Sequence, residues 1–247
     1  MMKQNLRLFK AGGASLEYFE AGSQTPVVFL PALGCSGTTY KEVIDLLSQS
    51  CHVFVPNLYF SINNYAISRL EDYVGVLQEF IKIKKLTNII LIGHSYGGAV
   101  ALKLAESNKK NISKLILVDS AGLPVPYSLT QLFYLLFVKT WHELKYTNQL
   151  SILGRLVWDF SFFVLKSLPQ WSKTTKEIGR VAQETQIQFQ NIHVPTLLLW
   201  GKTDEILSLE YAEKLHKLLP NSKLIKVEGN HDWLLFRYKE FGKLCFL

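Results

Sequence analysis

Cysteine is scarce in this sequence. Cys35, Cys51 and Cys245 are odd in number and stand at no metal-ligand spacing. That excludes a disulfide scaffold and a structural metal site, and suits buried thiols in a reduced, cytoplasmic protein. Long apolar runs are missing as well. The most apolar stretch, 132–138, is stopped by Lys139 far short of a bilayer's thickness, and residues 1–5 lead into no apolar signal-peptide core. Charged residues make up 19% of the chain against 48% hydrophobic, which excludes a disordered chain and, over 247 residues, suits one large domain. No zinc-finger spacing, aromatic RNA-binding segment or phosphate-binding glycine loop occurs, so nucleic acid is not an expected partner. The formal net charge of +7 is read as solvated surface. Lys82, Lys84 and Lys85 end one predicted helix, and Lys109 and Lys110 follow another, where cations complement the helix dipole.

Short apolar runs alternate with amphipathic helical stretches, the pattern of strand–helix–strand units around a mainly parallel sheet. Residues 6–9 and 16–19 alternate on either side of Gly12-Gly13 and read as a hairpin. Strands are expected over 26–30, 52–55, 88–92, 114–118, 196–200 and 223–227. Helices are expected over 38–49, 70–81, 96–107 and 209–219, with a final one from Trp233 onward. The rhythm breaks between 122 and 191, where Tyr127, Phe133, Tyr134, Phe137, Trp141, Tyr146, Trp158, Phe160, Phe162, Phe163 and Trp171 crowd together. A mostly helical insertion between two strands of one continuing sheet accounts for this. Residues 1–121 and 192–247 then form the core and 122–191 the insertion.

Gly93-His94-Ser95-Tyr96-Gly97 has the G-x-S-x-G pattern. Alone it is weak, arising by chance in roughly one chain of this length in ten to twenty. Its setting, between a buried strand and a helix, is what gives it force. A sharp turn there strains the serine backbone and pushes its hydroxyl clear, and the residues two positions either side, Gly93 and Gly97, must lack a Cβ. A serine hydroxyl needs a base. Of the six histidines, His231 directly follows the last predicted strand, and Asp204 follows the strand before it. Ser95, Asp204 and His231 thus all stand past carboxyl ends of parallel strands, which share one edge of a sheet. His231 is the expected base, and Asp204 would hold its imidazole in the right tautomer. Asp119 also ends a strand and competes for the acid; the order Ser–Asp–His favours Asp204. Asp232 is expected to be solvated or to cap the last helix, and His94 to pack near its strand end. His52, His142, His193 and His216 are read as structural or surface residues.

On these residues the chain resembles the α/β-hydrolase fold superfamily, of the kind with a helical cap, over nearly its whole length. The resemblance implies an α/β fold, a mainly parallel sheet flanked by helices with 122–191 as cap. It also implies Ser95 as nucleophile, Asp204 as acid, His231 as base, and an oxyanion hole from the backbone N–H groups of Leu33 and Tyr96, each worth about 3 kcal/mol in the transition state. Where the family usually has His-Gly before the oxyanion residue, this chain has Pro31-Ala32. Dehalogenases and epoxide hydrolases of the fold need an aspartate where Ser95 stands.

The activity so implied is hydrolysis of a small or medium carboxylic ester, thioester or lactone through an acyl-enzyme. The aromatic residues of the cap suit an uncharged, apolar substrate. Carbon–carbon bond hydrolysis or acyl transfer could use the same triad, and a catalytically silent binding protein could use the same scaffold. No cofactor or metal is expected. The partner is a small ester-like molecule, and an apolar cap face with net positive charge leaves peripheral membrane contact open.

Overall fold

The computed structural model of the protein describes residues 5–11, 14–57, 70–107, 110–125, 128, 131, 134–135, 149–183 and 187–246. Among them, β1 (Asn5–Ala11), β2 (Ala14–Gly22), β3 (Thr25–Leu30), β4 (Cys51–Pro56), β5 (Ile89–His94), β6 (Ile112–Val118), β7 (Thr196–Gly201) and β8 (Ser222–Val227) form one sheet in the order β1-β2-β4-β3-β5-β6-β7-β8. β2 pairs antiparallel with β1 and with β4, and every pairing from β4 to β8 is parallel. The helices are α1 (Lys41–Leu47), α2 (Leu70–Ile83), α3 (Tyr96–Ser107), α4 (Leu150–Ser167), α5 (Trp171–Gln183), α6 (Leu209–Leu218), α7 (Trp233–Phe236) and α8 (Tyr238–Cys245). The molecule is an α/β protein with helices on both faces of a mostly parallel sheet.

The strands are apolar at consecutive positions because both faces are covered. Side chains alternate between faces, so Val28, Leu30, Leu91, Leu115, Leu117, Leu198 and Trp200 join one buried cluster with α2, α3 and α6. Their sequence neighbours Val27, Phe29, Ile92, Ile116, Val118, Leu197 and Leu199 join a second cluster with α1, α7 and α8. Ile152, Leu153 and Leu156 of α4 belong to that second cluster. The α4 helix is therefore anchored in the body of the protein.

The order of strands places the loops that matter. From β3 the chain crosses to β4 on one side, then returns through α2 to β5 on the other, with Leu30 paired to Gly93. The loops leaving β3 and β5 consequently diverge at a topological switch point, where open α/β sheets bind ligands.

Two boundaries differ from the sequence pattern. The first helix begins at Lys41 and not at residue 38, because Ser36, Thr38 and Thr39 donate their hydroxyls to Asp159 and the backbone forms turns there instead. The last helix is broken at Arg237 (φ −116°, ψ 39°), whose guanidinium donates to the Glu228 carbonyl. Between β6 and β7 the described chain holds α4, α5 and short turns, in line with helical character. Tyr127, Phe133, Phe137, Trp141, Tyr146 and His142 lie outside the described residues, as does the Gly12-Gly13 turn.

Candidate active site

Ser95 occupies the turn between β5 and α3 with φ of +52°, a left-handed conformation that is strained for serine. The turn is locked to the adjacent strand: the Ser95 N–H donates to the Val118 carbonyl at 3.0 Å, and the Ser95 carbonyl accepts from Gly98 and Ala121 at 2.9 Å each. Both flanking glycines are sterically required. A Cβ on Gly93 would lie 2.6 Å from the Gly98 Cα and 2.7 Å from the Gly97 carbonyl oxygen, and one on Gly97 would collide with the Leu30 and Pro31 carbonyls. The serine side chain is left partly exposed while its neighbours are buried.

His231 lies in the loop after β8 and Asp204 in the loop after β7. These loops are laced together, Lys202 N–H to the Val227 carbonyl at 2.8 Å and Thr203 N–H to the Gly229 carbonyl at 3.0 Å. His231 Nε2 is 2.9 Å from Ser95 Oγ, and its Nδ1 is 2.8 Å from Asp204 Oδ2. A carboxylate only accepts, so Nδ1 carries the proton and Nε2 accepts from the serine hydroxyl. Asp204 Oδ1 accepts the N–H groups of Ile206 and Leu207 at 2.8 Å each. Asp204 and His231 are buried, at 8% and 2% exposure.

Asp119 is close by but bonded elsewhere. Its Oδ1 accepts from the Gly201 N–H at 2.8 Å. Burial first, and the neighbouring Asp204 charge second, push its carboxyl well above the usual carboxylate range; the Trp233 indole opposes this without forming a well-aligned hydrogen bond. Asp232 departs from its expected role. It is 2% exposed, turned in to within 3.9 Å of His94 Nε2, and its side chain makes no capping bond to α7. The cause is the 230–233 turn, closed by Trp233 N–H on the Asn230 carbonyl, which rotates Asp232 toward the core while leaving His231 facing Ser95. His94 packs under the strand end, fully buried. His52 pairs with Glu20 and His216 with Ser222, both at 2.8 Å.

Two polar links were invisible in the sequence. The first runs from the β3 loop to the histidine loop. The Ala32 N–H donates to the Tyr40 hydroxyl at 3.0 Å, that hydroxyl lies 2.6 Å from His94 Nδ1, and His94 Nε2 lies 2.9 Å from the His231 carbonyl. Since the carbonyl only accepts, a neutral His94 carries its proton on Nε2, and its Nδ1 accepts the hydrogen bond of the Tyr40 hydroxyl. Burial holds the Tyr40 phenol well above its ordinary pKa, so it stays a donor. The second link joins the β3 loop to α4 through Asp159, which accepts from Ser36, Thr38 and Thr39. Leu33 sits between these fixed points, half-buried, and its N–H makes no hydrogen bond among the described residues. A separate cleft of about 500 Å³ opens between Leu123, Val125, Tyr211 and Lys214; none of Ser95, Asp204 or His231 lines it.

A strained serine, a buried imidazole and a buried carboxylate at the carboxyl edge of a mostly parallel sheet define a hydrolase architecture. Residues 27–243 match the profile of the alpha/beta hydrolase family, and the chain belongs to that family. Lipase 1 of Psychrobacter immobilis is 26% identical to it, over 88% of this chain and 75% of its own length. The 2-hydroxy-6-oxo-6-(2'-aminophenyl)hexa-2,4-dienoic acid hydrolase of Metapseudomonas resinovorans is 23% identical, over 95% of this chain and 87% of its own. A solved serine hydrolase involved in carbazole degradation shares the fold with a TM-score of 0.82 at 20% identity, covering 99% of this chain and 98% of that one.

Proposed function

We propose that Ser95, His231 and Asp204 are a catalytic triad that hydrolyses a carboxylic ester, thioester or lactone of an uncharged, apolar substrate. The observation that carries this reading is the unbroken hydrogen-bonded line from Ser95 Oγ through both nitrogens of His231 to Asp204. Ser95 Oγ attacks the substrate carbonyl as its proton passes to His231 Nε2. The resulting oxyanion is met by the N–H groups of Leu33 and Tyr96, one from each loop at the switch point. His231 then returns the proton to the leaving alcohol or thiol, leaving an acyl-enzyme. Water, deprotonated by the same nitrogen, releases the acid and restores Ser95.

In this reading residues 122–191 are a cap on a core of 1–121 and 192–247. The docking of α4 against the β3 loop supports it: the Phe160 and Phe163 rings stand over Gly34, beside Leu33, and offer an apolar wall to an acyl or alkyl group. A second reading keeps the triad but cleaves a carbon–carbon bond; it is favoured by the relative named for a dienoic acid substrate. Among the described residues no helix is long and apolar enough to cross a membrane. The three free, buried cysteines support a cytoplasmic setting, and the apolar exterior of α4 supports peripheral contact with lipid.

Fluorophosphonate labelling tests the triad. The wild type should be labelled at Ser95, and Ser95→Ala should not react; an inert wild type would point to a binding protein. Assaying p-nitrophenyl esters from acetate to palmitate beside a 2-hydroxy-6-oxo-dienoate separates the two enzymatic readings, by which class is turned over faster.

A further inference from the structure

We propose that Asp159 is a positioning residue for the oxyanion hole, holding the loop that presents the Leu33 N–H in its working shape. This rests on the serine-hydrolase reading above. Asp159 belongs to α4, more than a hundred residues along the chain from that loop, and is 6% exposed. Its Oδ2 accepts from the Ser36 N–H at 2.9 Å, the Ser36 hydroxyl at 2.6 Å and the Thr39 hydroxyl at 2.7 Å, and the Thr38 hydroxyl reaches both oxygens at 3.0 Å. One loop thus presents four possible donors to this carboxylate, mostly at Oδ2, and the Ser36 and Thr38 hydroxyls, 2.6 Å apart, also bond each other. The one arginine of α4, Arg155, lies a turn away and is engaged by Glu42 at 2.5 Å, so hydrogen bonds from the loop, and not a cation, meet the charge of Asp159.

The captured segment starts immediately beyond the oxyanion residue. Ala32 is tied from below, by its N–H to Tyr40. Gly34, with φ of +73°, is covered from above, since a Cβ there would come within 2.9 Å of Phe160 and 3.0 Å of Phe163. Ser36 to Thr39 are then drawn to Asp159. Leu33 is thus strung between a fixed point in the core and three fixed points on α4. Removing the carboxylate leaves the Ser36 N–H and the Ser36, Thr38 and Thr39 hydroxyls without their shared acceptor, and the loop must turn to satisfy them. A displacement of the Leu33 N–H by about 1 Å from the developing oxyanion costs on the order of 100-fold in rate. Such a shift leaves the apolar substrate wall standing, because Phe160 and Phe163 remain on α4. Asp159 therefore acts on turnover and not on ground-state binding. The same arrangement makes the hole dependent on the seating of α4 against the core.

The test uses the whole protein, its best p-nitrophenyl ester and a fluorophosphonate. In Asp159→Asn, kcat should fall by at least ~10-fold with KM changed less than ~3-fold, and the labelling rate should fall with kcat, as expected for loss of an oxyanion donor. The midpoint of the pH profile of kcat/KM should stay put, because the Ser95–His231–Asp204 line is not touched. Thr39→Val, which removes one donor and leaves the carboxylate, should shift kcat in the same direction, and decides the matter by the same criterion of kcat loss at constant KM if Asp159→Asn does not fold. A folded variant whose kcat falls less than that, or whose KM alone rises, overturns the proposal and reduces Asp159 to a docking contact. A wild type that resists labelling at Ser95 instead overturns the triad.

Discussion

Asp119 ends β6 with a positive φ of 41° and no exposed surface, one strand away from the loop that carries Asp204. Two carboxylates in one buried place cannot both ionise cheaply. Asp204 is surrounded by three N–H donors and Asp119 accepts from one, so burial beside Asp204 disfavours the charged form of Asp119 and raises its carboxyl. A carboxyl raised on folding makes the native state bind more protons than the unfolded one, and stability then falls as pH rises from the unfolded value of about 4 toward the folded one. Asp119→Asn keeps an oxygen for the Gly201 N–H and removes the titration. Its stability relative to wild type should grow between pH 4 and 7 in urea unfolding; parallel curves would refute the assignment. Turnover should survive within ~10-fold in Asp119→Asn and fall about 10³–10⁴-fold in Asp204→Asn. The opposite pattern would move the acid to Asp119. The residues of this line were legible in the sequence because each follows a readable strand, and parallel strands deliver their ends to one edge. Asp159 and Tyr40 were not, since their partners lie 120 and 54 residues away and nothing local marks a helix aspartate as an acceptor for a distant loop. The burial of Asp232 was hidden for the same reason: a tight turn, not composition, decides which of two adjacent side chains faces inward.

At the scale of elements, helix α6 does more than flank the sheet. Tyr211 on its buried face accepts the N–H groups of Gly122 and Leu123 at 3.0 and 2.7 Å and donates to the Leu123 carbonyl at 2.7 Å. It therefore clamps the chain just past the end of β6. Burial pushes the Tyr211 phenol up to about 12, so it remains a donor at any working pH. Tyr211→Phe would leave two donors and an acceptor buried without partners, a cost on the order of 3 kcal/mol, which lowers the melting midpoint of a domain this size by about 10 °C. A loss under about 2 °C in a thermal melt would mean that water replaces the hydroxyl. Strands and helices of the core were readable because the pattern changes from apolar runs to a 3.6-residue period, as in α2, where Leu70, Tyr73, Val74, Leu77, Phe80 and Ile81 are all buried. Element ends were less readable. The start of α1 and the break at Arg237 are set by side-chain bonds to Asp159 and to the Glu228 carbonyl, and these exist only after the chain has folded.

At the scale of the whole molecule, the described residues show an exposed apolar ridge on a chain of net positive charge. The inner face of α4 is committed to the core and to the β3 loop, yet Leu150, Trp158 and Leu165 on its outer side, with Leu168 just past its end, are 65%, 73%, 63% and 58% exposed. Among the described residues of 149–183, both acids are spoken for inside the protein: Asp159 is buried, and Glu177 is 8% exposed and paired with Arg180. Lys166, Lys173 and Lys176 are left as the exposed charges, on a chain of net +7. An apolar ridge on a chain of net positive charge fits an anionic lipid surface, where tryptophan favours the interface and each basic residue near it adds about 1 kcal/mol within a Debye length. The protein should therefore co-sediment with vesicles containing a third phosphatidylglycerol and far less with pure phosphatidylcholine. Raising the salt to 0.5 M should weaken the binding, and Trp158→Ser with Leu165→Ser should abolish it while leaving hydrolysis of a soluble ester unchanged. Equal sedimentation with both lipids would remove the electrostatic argument. If neither vesicle binds, and the wild type but not the double variant dimerises in sedimentation velocity, the ridge is covered by a second copy of the chain instead.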